Sequence, residues 1–343
     1  MKTNTIRRIP LAVWACATIC SLAAFISIFC VLSRPEGGLN LFRSITKISK
    51  AHDQSQQGIT ATGEEEEDRP LILYAYHETD NARQNALFFI NHALHSSADF
   101  IFILNGETNL SSSIPSHHPN IKVIQRNNTC FDLGAHAEIL NNNGGELVKK
   151  YKKFILLNAS IRGPFLPTWS GECWSDVLLA KVTDTNKLVG ISYNCLPTRH
   201  IQSMLLATDR TGLATFLPVI SHCFQTLPSA VTGELSITSS IHKAGYSVFA
   251  LMTAFSSYKG YEKECEHGDL LYDGLYYGIT MHMYESMFVK ANRDNAPEVL
   301  ERMTEWTEGW GYESWGVCGR GRGRGGGYED RFIVRIYKVF WNS

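Results

Sequence analysis

From residue 70 onward the chain alternates short apolar runs, each breaking off into polar residues, with stretches of helical spacing. The runs lie at residues 71–76, 100–104, 121–125 and 154–157. Runs of this length, bounded by turn residues, read as strands, and Phe154 to Leu157 as a central strand covered on both faces. Between the first two runs, Ala82, Ala86, Ile90 and Ala93 share one helical face, with Asp80 as N-cap. Helical turns also read near residues 135–140 and 146–150. A further strand reads at residues 188–193, and residues 203–217 read as mixed strand and helix. This alternation predicts an α/β domain, a mostly parallel sheet flanked by helices with right-handed crossovers.

In open α/β sheets ligands lie beyond the carboxyl ends of the strands. Here those ends carry His77 and Glu78, Asn105, Arg126 and Asp132, and Asn158 and Ser160, before Gly163 and Pro164 stop the fourth run. Capping alone accounts for such residues singly; their convergence is what a nucleotide-sugar pocket needs. Sugar transfer requires groups for the base and ribose, positive charge for the diphosphate, and a carboxylate to take the acceptor proton. Tyr76, Glu78, Arg126 and Asp132 are placed for the first task, although Asp132 also suits the start of a helix. For the second, an Asp-x-Asp would ordinarily stand where this chain has Asn158-Ala159-Ser160. Neutral side chains bind a hard cation poorly. Arg162 could neutralise phosphate instead, so a metal-independent site and one with Mn or Mg held partly by His282 both stay open. For the third task, Glu234 reads in the first turn of a helix ending at Gly245, as catalytic base or simply as a dipole partner. His282 and Glu285 would line the phosphate side.

Residues 11–32 contain no charge and as a helix would span about 33 Å, enough to cross a bilayer. They read as a signal anchor with residues 1–10 cytoplasmic, a stem over 33–69 ending in an acidic run, a catalytic domain over 70–300, and a C-terminal extension over 301–343 with a Gly/Arg linker. That gives a single-pass type II membrane protein of the Golgi or another secretory membrane, with its catalytic domain lumenal. The 32 basic and 33 acidic residues nearly balance, which gives no basis for a nucleic-acid partner. Cys130, Cys173, Cys195, Cys223, Cys265 and Cys318 form an even set able to pair in an oxidising lumen, in any of fifteen ways. Sequons stand at Asn109, Asn127 and Asn158; Asn109, in a Ser-rich loop, best fits a glycoprotein site.

Four stretches together resemble the rhamnan synthesis protein F family and related eukaryotic membrane-anchored glycosyltransferase-like proteins. They are Tyr74-Ala75-Tyr76-His77-Glu78; Arg126-Asn127 with Phe131-Asp132-Leu133-Gly134-Ala135; Leu157-Asn158-Ala159-Ser160-Ile161-Arg162-Gly163-Pro164; and His282-Met283-Tyr284-Glu285 with Phe288-Val289-Lys290-Ala291-Asn292-Arg293. The resemblance implies a GT-A-like glycosyltransferase, hexosyl or deoxyhexosyl, acting in polysaccharide or glycan biosynthesis. Where that family's tail has Pro this chain has Met283, and Asn158-Ala159-Ser160 replaces acidic or Ser-Ser versions. The rival expectation is a catalytically silent glycan-binding or scaffolding relative. A sulfotransferase would need a phosphate-cradling loop after the first strand, which residues 77–80 do not supply.

Overall fold

The computed structural model describes residues 69–318 except Asp294. Its strands are β1 (Leu71–His77), β2 (Asp99–Asn105), β3 (Ile121–Arg126), β4 (Lys153–Asn158), β5 (Ile161–Arg162), β6 (Asn186–Gly190), β7 (Tyr193–Asn194), β8 (His200–Ile201), β9 (Leu205–Asp209), β10 (Ser247–Ala250) and β11 (Val289–Lys290). The helices are α1 (Asp80–His92), α2 (Asp132–Lys150), α3 (Trp174–Leu179), α4 (Arg210–Ile220), α5 (Leu227–Lys243), α6 (Tyr261–Glu264), α7 (Met283–Ser286) and α8 (Pro297–Trp310).

Seven strands form one sheet in the order β10-β6-β9-β4-β1-β2-β3. The run β3, β2, β1, β4 is parallel throughout, in a register that brings Asn105 level with both His77 and Arg126. The core of β1 and β4 is entirely buried from Leu71 to Leu73 and from Phe154 to Leu157, as helices on both faces require. Strand β9 runs antiparallel to both β4 and β6. The cause is local: a parallel return needs a crossover, usually a helix, whereas residues 191–204 hold only the short β7–β8 pair. Helix α1 is capped by Thr79, whose Oγ1 accepts the Ala82 amide at 3.1 Å, one residue earlier than the sequence suggests. The break between the helical turns near 135–140 and 146–150 sits at Asn142–Gly145, where Gly144 and Gly145 take φ of 67° and 76°.

Three disulfides close the six-cysteine set: Cys130–Cys223, Cys173–Cys318 and Cys195–Cys265. Helix α8 runs across residue 300 and is tied to the sheet domain by Arg162, which donates to Thr304 Oγ1, Gln84 Oε1 and Asn85 Oδ1. Residues 297–318 thus pack as part of the described domain.

The expectation of a membrane helix is corrected here, and with it the type II Golgi location. No helix among the described residues is long and apolar enough to cross a membrane. Residues 11–32, on which that expectation fell, lie outside the described residues, as do nearly all of the 33–69 stem and the Gly/Arg tract. The fold class that stands for the described residues is a mixed α/β sheet, mostly parallel.

Gly212, in the first turn of α4, has no room for a side chain. A Cβ there would collide with the Lys187 carbonyl oxygen and Thr208 Oγ1, which already share a 2.6 Å hydrogen bond. Gly212→Ala is expected to destabilise the fold by about 1–3 kcal/mol, read as a lower urea midpoint with an unchanged slope.

Candidate active site

A cleft of about 680 Å³ opens at the carboxyl ends of β1, β2 and β4. One wall is the approach to α2, residues 128–133; the opposite wall is α5 with Glu234; the C-terminal segment adds Lys290 and Arg293. The Cys130–Cys223 disulfide fastens the first wall to the segment that leads into α5.

Asn158, at the end of β4, organises the floor. Its Oδ1 accepts the Ser160 amide at 3.0 Å and the Ser160 hydroxyl at 2.5 Å, and its Nδ2 donates to Asp132 Oδ2. Asp132 is the first residue of α2, so the bond locks that helix start to the central strand. Burial pushes the Asp132 carboxyl above its ordinary value and Glu234 adds to the rise, while the Asn158 bond and the Lys290 charge oppose it. This engagement also removes Asn158 as a free sequon amide.

Glu234 lies well inside α5 rather than in a first turn, because that helix starts earlier, at Leu227, behind a Thr226–Ser229 capping box. Its Oε2 accepts the Ser203 amide at 2.7 Å and also the Ser203 hydroxyl, and its Oε1 lies 3.4 Å from His200 Nε2. Burial pushes this carboxyl up, but the His200 and Ser203 bonds outweigh it and hold the group below its ordinary value.

At the β1–β2 end of the cleft, Tyr76 is buried, and its hydroxyl is pushed up to about 12 by burial and then by Glu78. His77 Nδ1 lies 3.0 Å from the Asn105 carbonyl oxygen, and Asn105 Nδ2 donates to the Tyr76 carbonyl at 3.0 Å. Four of the residues expected at the donor site therefore meet in the cleft: Tyr76, Asp132, Asn158 and Ser160, facing Glu234.

The others stand outside its lining. Glu78 accepts Thr108 Oγ1 at 2.5 Å and pairs with Arg83 at 3.3 Å. Arg126 holds Asn105 Oδ1 at 2.5 Å and Glu138 at 2.5 Å, so it braces a cleft residue instead of facing ligand. Arg162 is buried between α1 and α8, as described above. Glu285 Oε1 accepts the Thr253 amide and the Tyr276 hydroxyl, each at 2.5 Å. His282 is exposed and caps α7, its Nδ1 accepting the Tyr284 amide at 3.2 Å, and it belongs to no group with metal-ligand geometry among the described residues.

Two cations missed in the sequence complete the site. Arg293 pairs with Asp269 and stacks 4.5 Å over the Tyr272 ring. Lys290 lies in β11, opposite Ile161 of β5. The signal was present: Lys290 and Arg293 stand three apart just after an apolar run, and only the β11–β5 pairing brings that run beside β4.

The residues fit a divalent metal poorly. Hard cations require several oxygens with carboxylate help, and both polar atoms of Asn158 are spent within the floor. Among the described residues, the group with metal-ligand geometry is His95, Cys173 and Cys318, and its two sulfurs are joined in a disulfide.

No family model matches this chain, and no curated relative matches it. Among solved structures it is similar to a mannosyltransferase of Pyrobaculum calidifontis in complex with GDP-Man and Mn2+, at 12% identity over 61% of this chain and 62% of that one, with a TM-score of 0.36. It is also similar to the glycosyltransferase GlyE of Streptococcus pneumoniae TIGR4, at 11% identity over 52% of this chain and 45% of that one, with a TM-score of 0.34. The chain spans less than two thirds of either structure. Likeness this weak bears on no fold family, residue or activity of this chain.

The Glu234 geometry has a pH signature. A carboxyl held below its ordinary value of 4.5 stabilises the fold above that pH and loses the contribution as pH falls through its folded value. Melting curves of wild type and Glu234→Gln are expected to lie apart at pH 7 and to converge as pH drops below 4.5.

Proposed function

We propose that this protein is a glycosyltransferase that moves a hexosyl or deoxyhexosyl unit from a nucleotide sugar to a glycan or polysaccharide hydroxyl. The observation that carries this reading is the meeting of a half-buried carboxylate, Asp132, with Lys290 and Arg293 in one cleft at the carboxyl edge of the sheet. Its volume falls within the range of small-molecule sites. The stretches that resemble the rhamnan synthesis protein F family supply Tyr76, Asp132, Asn158 and Lys290 to the same cleft.

Transfer would proceed by attack of the acceptor oxygen on the anomeric carbon. The bond from that carbon to the phosphate oxygen breaks, its electron pair leaves with the nucleoside diphosphate, and the acceptor proton passes to a carboxylate. Asp132 suits that last role better than Glu234. A base works best with a pKa near the working pH, and burial moves Asp132 in that direction. The bonds from Ser203 and His200 hold Glu234 the other way, so Glu234 serves as a positioning residue for the turn before β9. Tyr76, His77 and Asn105, at the ends of β1 and β2, and Asn128, on the approach to α2, would receive the base and ribose.

The test uses the full chain with a panel of nucleotide sugars, following thermal stabilisation and then sugar transfer. Asp132→Asn is expected to retain its fold and lose about 10²- to 10⁴-fold in turnover, with a smaller loss for Glu234→Gln. A panel in which no donor stabilises the protein or is consumed would instead identify the silent glycan-binding relative.

A further inference from the structure

Among the described residues that line the cleft, the ammonium and guanidinium groups are those of Lys290 and Arg293. They are not equivalent. Arg293 already has Asp269 and the Tyr272 ring. The Lys290 ammonium makes no hydrogen bond or ion pair among the described residues, although its surroundings leave the residue only half exposed. A partly desolvated ammonium without a direct partner is costly, and the three nearby carboxylates, Asp132, Glu234 and Asp269, the last paired with Arg293, do not offset it by contact. Asp132 is bonded to Asn158, and Glu234 to Ser203.

The backbone on either side of Lys290 is fixed with unusual completeness for so short a strand. Lys290 pairs with Ile161, the Ala291 amide donates to the Ser160 carbonyl at 2.9 Å, and Asn81 Nδ2 donates to the Ala291 carbonyl at 2.8 Å. Strand β11 is thereby pinned to the turn that follows β4, the very turn where a metal-binding pair of carboxylates would be needed. That turn is neutral and closed on itself through Asn158 and Ser160.

We propose that Lys290 holds the donor's diphosphate directly, supplying the positive charge that a divalent metal would otherwise bring, so that nucleoside diphosphates bind this cleft without metal. The inference rests on the glycosyltransferase reading above and adds the means by which the leaving group is neutralised. An ammonium is a compact point charge with three donors, suited to oxygens of more than one phosphate. Burial and then the Arg293 charge pull the Lys290 pKa down, against the pull of Asp132, Glu234 and Asp269; a bound phosphate would favour its charged form.

Isothermal titration of the full chain with UDP and GDP, with uridine and guanosine, and with inorganic pyrophosphate, each in EDTA and again with Mn2+, tests this. At least one nucleoside diphosphate is expected to bind in EDTA with an affinity that Mn2+ does not raise. Lys290→Met should weaken that binding by about 10- to 100-fold and leave binding of the matching nucleoside unchanged, while Lys290→Arg should restore most of it. Diphosphate binding that requires Mn2+, or that survives Lys290→Met undiminished, overturns the proposal and leaves the transferase reading standing. Failure of every nucleoside and diphosphate to bind wild type in either condition overturns both. The comparison of EDTA with Mn2+ on wild type needs no variant, so it decides even if Lys290→Met does not fold.

Discussion

One carboxamide fixes the geometry of the cleft. Asn158 ends the central strand, and its side chain reaches both forward to Ser160 and across to Asp132 at the start of α2. Its own amide donates to the Met204 carbonyl at 3.2 Å, which carries the constraint across to the residue before β9. An amide can do this because it offers a donor to the carboxylate and an acceptor to the hydroxyl at once. A carboxylate in its place would face Asp132 as a like charge. The neutral floor is therefore a matched arrangement in which only Asp132 is acidic.

The walls are held by different means. On the α2 side the Cys130–Cys223 disulfide joins two segments 93 residues apart in sequence. On the α5 side, Gly233 allows the Phe224 ring to lie against the helix backbone, since a Cβ there would collide with that ring. Phe224 itself lines the cleft, one residue from the disulfide. A covalent tie and a close helix–aromatic contact thus act on neighbouring residues. Leu227 and Val231, both well exposed on the first turns of α5, give this wall an apolar rim beside its charged interior.

The first half of the sheet was legible in the sequence because its strands are short apolar runs closed by polar residues, and β1 to β4 lie close to where those runs fall. Tyr76, Asp132, Asn158 and Ser160 were legible for the same reason: each follows or ends a strand that the parallel register carries to one edge. What escaped depends on long-range pairing. The direction of β9 follows from a hairpin too short to recognise by periodicity, and Lys290 reaches the cleft through the two-residue pairing of β11 with β5. Arg162 and Glu285 have functional-looking neighbours in sequence but are satisfied by partners outside their own stretches, Thr304 for one and Thr253 and Tyr276 for the other. The start of α5 was misplaced because Pro228 and the Thr226–Ser229 capping box are stronger start signals than Gly233. The membrane helix rested on residues 11–32 alone and did not enter the fold described here.

Residues 297–318 close the domain back onto its beginning. Arg162 reaches Thr304, His92 Nδ1 meets the Tyr312 carbonyl at 2.6 Å, Ser314 Oγ donates to the His92 carbonyl at 2.7 Å, and Cys318 bonds to Cys173. During synthesis the guanidinium of Arg162 is made well before Thr304, and the thiol of Cys173 well before Cys318. A ribosome adding about 5–20 residues per second leaves them waiting for several seconds at least. Until residue 318 has left the exit tunnel, the nascent sheet carries Cys173 without its partner, so the order of translation decides which thiol an oxidase meets first.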